Sequence, residues 1–500
     1  MASELLKTFA KIESGRRKCI DSLNSINIPT PEDVTLDALA DYIKRAPGEI
    51  DPRKEQHMWA RPKEWTNTEE LLLNAPVLDG YTPFCVYLLQ ARRPSTDIIL
   101  RALKVPSSAS GSYIRDAYYM SDGTFVTHTN TSLDTTITHT WDVTKDIETG
   151  LGYNLRYIIV YANDSILAKQ KTAWNYGKST DYSIGQGLLE ITALNPKPEY
   201  RNTMGVPKRD ANSLNLYRIH FLDSDLAINT SNSPSTCANA VREIRLDKSG
   251  DLTIDGGYGC ICRGQIYSNY NFSNIQLTIP NAKKITFGSG SSNDYMCCRY
   301  AYMPKAEELL QLRAGSTNYN NLYITDITAP RLHTFEHEIT GPLELFNSLP
   351  SIKNKQNLHV NSHWGMDRFY YKKDTLENEL IPYQSIAIYN DTVERLTNTT
   401  VISSYIVSII LPKVTRIDLE SIFTGTSAKY LTELILGENF KSSLDISETH
   451  LPTLNILELI NKLADVTNED EVYTLTLGTL ADYMTDDELK IATNKGWVIK

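Results

Sequence analysis

The sequence lacks the long apolar segments that a membrane protein needs. No uninterrupted apolar run approaches the ~18 residues that cross a bilayer as a helix. Residues 1–11 contain no apolar core of the kind found in a secretory signal. We therefore expect the chain to be made and folded in the cytoplasm of its host cell, without insertion into a membrane.

Positive charge is also scarce. The chain has 50 Lys and Arg residues against 60 Asp and Glu residues, which gives a formal net charge of −10. Its densest basic run, Arg16-Arg17-Lys18, is followed closely by Asp21. Binding to phosphate backbones gains its free energy from a basic stripe that releases counterions. The composition therefore argues against nucleic acid as a partner.

Cysteine is rare and odd in number. A disulfide framework pairs its cysteines, so seven of them in a chain without a secretory signal favour reduced thiols. They are Cys19, Cys85, Cys237, Cys260, Cys262, Cys297 and Cys298.

Tyrosine, in contrast, is abundant. The chain has 29 Tyr but only 11 Phe. Tyr combines apolar area with a polar tip, which suits wet contacts with sugars or proteins. A β-rich chain is enriched in Tyr for packing reasons as well, and both interpretations stay open.

The first 48 residues have a helical pattern. Six positions follow a 4-3-4-3-4 spacing, and all but Arg16 are apolar, which predicts one packed helix face; they are Leu5, Phe9, Ile12, Arg16, Cys19 and Leu23. Prolines at 29 and 31 end this helix. A second helix is predicted from Leu36 to Ile43, with Thr35 as its N-cap. We interpret residues 1–48 as a helical attachment segment.

After the N-terminal segment, the spacing of apolar residues changes from a helical to a strand-like period. Residues 97–103, 123–128 and 155–161 are predicted strands, rich in branched and aromatic side chains and separated by Gly, Asn and Asp turns. Short strands at such spacing are typical of a β-sandwich. We assign this sandwich to residues 49–200.

A loose repeat occupies most of the back half. An aliphatic residue followed by Pro and a short alternating apolar stretch recurs six times, at Ile279-Pro280, Met303-Pro304, Leu349-Pro350, Ile381-Pro382, Leu411-Pro412 and Leu451-Pro452. One short strand per repeat, stacked on its neighbours, would bury a continuous core. We therefore predict an irregular leucine-rich-repeat-like solenoid over residues 201–456. An ordinary β domain in which Pro starts strands remains the alternative.

The C-terminal residues 457–500 are predicted to cap this solenoid. Residues 472–478 alternate like a strand, Thr485 to Glu488 form a capping box that opens a short helix, and residues 496–500 form a last strand. The fold class expected for the whole chain is mainly β with short helices.

Three segments resemble proteins of tailed bacteriophages. The N-terminal segment, with Ile28-Pro29 and Thr35-Leu-Asp-Ala-Leu-Ala-Asp-Tyr-Ile43, is similar to the short helical starts of these virion proteins. The ending, with Leu475-Thr-Leu-Gly and Ile491-Ala-Thr-Asn-Lys-Gly-Trp497, is similar to BspA-like leucine-rich repeats of gut phages and prophages. Trp59-Ala-Arg-Pro62, Ser121-Asp-Gly-Thr124 and Thr138-His-Thr-Trp-Asp142 resemble a PKD-like sandwich of the same proteins, although Met120-Ser121 departs from its usual Trp and Gly. The resemblance implies a head or tail fibre of a crAss-like phage, commonly a homotrimer.

Two motifs partly match known catalytic or binding patterns. His333-Thr-Phe-Glu336-His337 matches H-x-x-E-H, but a zinc site needs a helix there, and Pro330 and Gly341-Pro342 favour a strand or turn. Gly177-Lys178-Ser179-Thr180 lacks the Gly of a phosphate loop, because position 172 is Thr.

The remaining candidates are interpreted structurally. Cys260 with Cys262, and Cys297 with Cys298, do not have the usual zinc spacing and are expected to be buried thiols. Asp247 to Asp251 is interpreted as a turn and not as a calcium loop. The acidic residues 468–471 and 486–488 are expected at solvated turns and at a helix start.

No G-x-S-x-G elbow occurs, and we assign no catalytic, cofactor-binding or metal-binding residue. The expected function is that of a non-enzymatic virion protein, anchored to other capsid or tail proteins through its N-terminus and adhering to a host-surface glycan or protein. The alternative is a tail-associated polysaccharide depolymerase, which would show a convergent carboxylate pair in a groove. A bacterial surface adhesin is disfavoured by the missing secretion signal.

Overall fold

The computed structural model divides the chain into two compact units, Met1–Arg61 and Pro62–Lys500. It describes residues 16–17, 20, 35, 59–92, 95–101, 115–129, 134–163, 187–194, 203–205, 215–228, 241–256, 276–287, 295–311, 321–335, 338–341, 358–360, 371–372, 376, 387–397, 406, 408–418, 423 and 431–500. In the first unit Arg16, Arg17 and Ile20 are helical. The rest of both predicted helices lies outside the described residues, so the N-terminal helical segment is not confirmed.

The second unit is built on a 13-stranded sheet. One end of this sheet is antiparallel, with β1 (Tyr81–Gln90), β3 (Arg115–Met120), β4 (Phe125–Thr129), β6 (Ile147–Glu148) and β7 (Asn154–Asn163). The sheet then continues as parallel strands, namely β8 (Leu188–Ala193), β10 (Arg218–Phe221), β12 (Glu243–Leu246), β14 (Gln276–Thr278), β16 (Tyr295–Tyr302), β18 (Asn321–Thr328), β20 (Glu338–Gly341) and β21 (Leu358–Val360).

A second parallel sheet alternates with these strands along the chain. Its six strands are β9 (Thr203–Gly205), β11 (Asp225–Ile228), β13 (Gly250–Gly256), β15 (Ala282–Phe287), β17 (Glu308–Gln311) and β19 (Thr334–Phe335). Each coil of the chain thus gives one strand to each sheet, which makes a β-solenoid of about six turns. The prediction of a mainly β chain with a solenoid is confirmed. We call β8 to β21, with the intervening strands, the first run.

Apolar side chains in register form the interior of the first run. Ile191, Ile219, Ile244, Leu277, Ala301 and Ile327 occupy the same position in successive strands, and all are buried. Because side chains on a strand alternate between faces, their neighbours in sequence point to the opposite face of the sheet. This stack is the continuous core that the repeat predicted.

The aliphatic-Pro pairs occupy the corners between the two strands of one turn. Ile279 and Met303 are fully buried there, with Pro280 and Pro304 next to them. Leu411 is buried at the equivalent place between β25 (Ser408–Ile410) and β26 (Arg416–Ile417). Pro fixes the backbone where no ladder hydrogen bond is needed.

The predicted repeat was wrong at one of its six instances. Leu451-Pro452 precedes helix α2 (Thr453–Lys462), and Leu457 and Leu459 lie in that helix and not in a strand. The pairs at 349–350 and 381–382 lie outside the described residues.

A second run of short parallel strands follows. It consists of β22 (Tyr371–Lys372), β23 (Ala387–Tyr389), β24 (Arg395–Leu396), β25 (Ser408–Ile410), β26 (Arg416–Ile417), β27 (Glu433–Ile435), β28 (Leu444–Asp445), β29 (Thr474–Thr476) and β30 (Val498–Ile499). Helices α2 (Thr453–Lys462) and α3 (Asp486–Asn494) and the 3-10 helix η2 (Gly478–Tyr483) lie between its last strands. Within the described residues, no helix has the length and apolar character to span a bilayer.

The predicted C-terminal elements are confirmed. Strands β29 and β30 lie where they were expected, and Thr485 and Glu488 form the reciprocal hydrogen bonds of a capping box at the start of α3. Leu475 and Trp497 belong to the same buried cluster as Ile409 of the second run. The last residues therefore close this core, as a terminal cap must.

The separate β-sandwich over residues 49–200 is not confirmed. The predicted strands are present as β2 (Ser95–Arg101), β4 and β7. However, β1 pairs with β8, so the antiparallel strands and the first run share one sheet. Strands β2 and β5 (Asp134–Thr140) form a two-stranded ribbon, and the 3-10 helix η1 (Val143–Lys145) follows β5. Helix α1 (Thr68–Leu73) precedes β1.

The second run returns along the first in the opposite order. Three hydrogen-bonded pairs connect the second run to the first run or to the antiparallel strands. The higher the number of the residue in the second run, the lower the number of its partner. The pairs are Arg242 with Thr432, Asn215 with Thr453, and Arg92 with Glu488. The C-terminal cap therefore lies next to the antiparallel end of the large sheet, where the second unit begins.

Candidate functional site

The large sheet has one face that points away from the solenoid core, which we call the outer face. Along the first run it presents two parallel rows of side chains, which come from strand positions two residues apart. The first row is Glu190, Arg218, Glu243, Gln276 and Tyr300, and the second is Thr192, His220, Arg245, Thr278 and Tyr302. Polar groups thus fill the positions that alternate with the core isoleucines.

A buried ionic triad occupies the start of the first row. Arg218 Nη1 lies 2.5 Å from Glu190 Oε1, and its Nε lies 2.7 Å from Glu243 Oε2. The two carboxylates are 0% and 1% exposed. Burial lowers the pKa of Arg218, but the two carboxylates outweigh burial and raise it, so the guanidinium stays charged.

Helix α1 lies over this triad on the outer face. The hydroxyl of Thr68 donates to Glu190 Oε1 at 2.9 Å and lies 2.7 Å from Thr192 Oγ1. One turn later, Leu72 packs with Val86 and Ile159 of the antiparallel strands. Asn67 caps the helix by accepting from the amide of Glu70. The helix therefore joins the ionic and the apolar parts of the same sheet face.

His220 is a further buried titratable residue of this face, next to the triad. Its Nε2 lies 2.6 Å from Asp247 Oδ2, and its Nδ1 lies 3.4 Å from Arg218 Nη1. Burial lowers the pKa of His220, and the hydrogen bond to Asp247 compensates for this only partly. The positive charge of Arg218 lowers the pKa further. The ring is therefore neutral near pH 7.

Glu69, His220 and Asp247 are the one group of His and acidic residues, in the part of the chain that the structure describes, whose possible ligand atoms lie within 4.8 Å of one another. A guanidinium only donates hydrogen bonds, so Nδ1 of His220 accepts from Arg218 and the ring proton is on Nε2. Nε2 then donates to Asp247 and offers no lone pair to a metal. We assign this group to structural hydrogen bonding.

The antiparallel end of the outer face presents an aromatic surface, formed by Tyr119, Phe125 and Tyr157. The rings of Tyr119 and Phe125 are 4.7 Å apart, and the ring of Tyr161 lies 6.1 Å from Phe125. Phe125 is 39% exposed, and Tyr119 and Tyr157 are half-buried. Apolar rings in contact with solvent at one place mark a candidate binding surface.

The pairing of the strands explains why these rings meet. Tyr119 of β3 pairs with Phe125 of β4 and with Ile159 of β7, and directly paired residues point to the same face. Tyr157 precedes Ile159 by two positions and so shares that face. The fully buried Tyr161 donates its hydroxyl to the carbonyl of Pro76, which fixes the segment after α1 beside the rings.

The residues considered for zinc do not meet in a helix. His333 is exposed, hydrogen-bonds Thr334 at 2.9 Å and is followed directly by β19. The predicted strand or turn is thereby confirmed at this point, while Glu336 and His337 lie outside the described residues. Cys297 and Cys298 are consecutive residues of β16, and Cys85 is a buried thiol of β1. Cys260, Cys262 and residues 177–180 lie outside the described residues.

The acidic segments occupy the predicted positions. Asp247 starts the turn between β12 and β13, and Gly250 adopts a φ of +78° there. Asp486 and Asp487 lie in the first turn of α3. Glu469, in the other acidic segment, forms an ion pair with Lys441 at 2.8 Å.

Sequence reasoning missed the ionic triad and the pairing of His220 with Asp247. A signal was present, because the short strands at 218–221 and 243–246 place an ionisable residue on either side of a buried isoleucine, and the strand at 188–193 places Glu190 before one. This pattern predicts one charged face, but it does not say which strands are neighbours.

Comparison with protein-family models, curated proteins and solved structures found no match for this chain. Its function is therefore inferred from its own residues and geometry.

Proposed function

We propose that this chain is a structural component of a tailed-phage particle, a fibre or appendage anchored through its N-terminal segment. In this proposal the antiparallel strands correspond to the PKD-like segment and the second run to the leucine-rich-repeat-like segment that the sequence resembles. The β domains adhere to a glycan or protein of the host surface, and the chain works as a binder and not as an enzyme.

The stacking of the first run is the observation on which the proposal rests. Parallel strands add one layer per turn at about 4.8 Å, each held by the ladder hydrogen bonds of the next. Such a stack is a rigid scaffold that holds surface groups at fixed spacing. The buried triad around Arg218 supports this interpretation, because its charges hold neighbouring turns together and do not face solvent.

Adhesion by such a scaffold gains from symmetry. A homotrimer, as the resemblance implies, would present every surface three times, and linked weak contacts exceed the affinity of one contact by orders of magnitude. The aromatic surface at the antiparallel end provides one such contact on each copy.

The test uses the full chain and particles from a lysate of the producing bacterium. Antibodies raised against the purified protein should label a fixed position on intact particles in immunogold electron microscopy, and the purified protein should adsorb to host cells and slow particle attachment. Release of reducing ends from purified host polysaccharide would instead favour the depolymerase. Particles that carry no label would refute the virion assignment.

A further inference from the structure

We infer that the aromatic surface formed by Tyr119, Phe125 and Tyr157 binds an uncharged saccharide. The inference rests on the proposed adhesive function and gives it a site and a class of ligand. It concerns the antiparallel end of the outer face, beyond the edge of helix α1.

The rings lie at an accessible margin of the sheet. Strand β4, which holds Phe125, is the last strand at this end of the sheet order among the described residues. Phe125 is exposed on one side while Tyr119 supports it from the other at 4.7 Å. Val77, which follows the Pro76 carbonyl bound by Tyr161, is 98% exposed beside this cluster. A ligand can therefore reach the rings without opening the fold.

The aromatic rings and the strand that holds Phe125 carry no formal charge. Strand β4 consists of Phe, Val, Thr, His and Thr, without Lys, Arg, Asp or Glu. Burial raises the pKa of the Tyr157 hydroxyl, and the further contribution comes from Tyr119, its neighbour in the cluster. Burial likewise raises the pKa of Tyr161 to about 12, with further contributions from Tyr119 and Tyr157. Because the phenols stay uncharged at neutral pH, the rings offer no charged partner to an anionic sugar or an acidic peptide.

The chemistry matches a sugar ring. A pyranose has an apolar face of C–H groups and a rim of hydroxyls, and it needs an aromatic face bordered by polar hydroxyls. The tyrosine hydroxyls and the exposed side chains of Thr124 and Thr127 provide that border. Three partly exposed rings are far smaller than the ~800 Å² that each partner buries in a stable protein interface. An oligosaccharide of a few units fits this size better than a folded protein does.

The experiment measures binding of the full chain to an immobilised array of neutral and uronic-acid-containing bacterial oligosaccharides. We expect binding to neutral members, retained within about twofold by Phe125→Tyr and weakened about tenfold by Phe125→Leu, since loss of one stacked aromatic ring costs about this factor. Leucine keeps the apolar volume, so thermal unfolding of this variant should match that of the wild type. Val143→Ala, at an exposed apolar residue of η1, is the control and should bind normally.

Several results would overturn the inference: equal binding by Phe125→Leu and wild type, a preference for acidic sugars, or no saccharide binding by the wild type. Adsorption to host cells separates this failure from failure of the proposed function. If wild type and Phe125→Leu adsorb to cells equally well, the chain is an adhesin that uses another surface. If the wild type does not adsorb at all, the adhesive function itself is wrong.

Discussion

Removal of Arg218 should be among the most damaging single changes in the first run. The Arg218→Leu variant leaves Glu190 and Glu243, which are 0% and 1% exposed, without their shared counter-ion. Breaking a buried ion pair from one side costs about 3–5 kcal/mol, because the remaining charge stays desolvated. We expect a loss of this size at pH 7, measured as a shift in the urea midpoint of the full chain by circular dichroism.

The pH dependence of this loss has a definite sign. Without the guanidinium, burial raises the pKa of the two carboxyls above the value near 4.3 of an unfolded Glu. A carboxyl whose folded pKa is raised favours the folded state only below the unfolded pKa, and this advantage disappears as pH rises through the folded pKa. Arg218→Leu should therefore unfold at nearly the wild-type midpoint near pH 4 and fall progressively behind it towards pH 7.

Two further variants make the test specific. Combining Arg218→Leu with Glu190→Gln and Glu243→Gln removes all three charges, so most of the lost stability should return. Arg395→Leu is the matched control, since Arg395 pairs with Asp418 at a similarly short distance of 2.6 Å but is 60% exposed. An exposed pair contributes about 0–1 kcal/mol. The reasoning fails if Arg218→Leu costs no more than Arg395→Leu, or if the triple variant is no more stable than the single one.

Three other changes test the caps and the buried histidine. Lys495→Met should cost about 1–2 kcal/mol in urea unfolding, because the ammonium of Lys495 donates to three carbonyls at the end of α2. The control Lys490→Met, on the exposed side of α3, should cost under about 0.5 kcal/mol, and equal losses would contradict the reasoning. Gly496→Ala should lower the melting temperature more than Gly123→Ala, since both have positive φ but only the Cβ at 496 would meet backbone 2.9 Å away; the opposite ranking would refute the clash. Burial lowers the pKa of His220, so the wild type should lose stability as pH falls below about 6.5, by about 1.4 kcal/mol for each unit of lowering, and His220→Gln should flatten this slope; an unchanged slope would exclude this residue as the cause.

The local elements were predictable because their signals are local. The capping box of Thr485 and Glu488 needs only neighbouring residues, and it formed as predicted. The strand around Tyr157 was predicted from its branched and aromatic composition, and the stacking of short strands from the recurrence of the aliphatic-Pro pairs. The same recurrence misled at Leu451-Pro452, because an apolar pair two residues apart fits one face of a strand, whereas Leu457 and Leu459 lie on a helix buried on most sides.

The partners in the candidate sites were not predictable, because each pair joins distant parts of the chain. Arg218 meets Glu190 and Glu243 only after one turn has stacked on the next, and no local pattern fixes that register. The aromatic surface likewise exists only because β3 pairs with β4 in a register that places Tyr119 opposite Phe125.

Local sequence signals were sufficient to predict a mainly β chain, coiled in stacked turns and closed by a helical cap, since side-chain periodicity and capping act within a few residues. The merging of the antiparallel strands with the first run into one sheet, and the return of the second run beside it, follow from contacts between distant residues. Those outcomes depend on which apolar and polar surfaces find each other across hundreds of residues, and such contacts arise from packing of the whole chain.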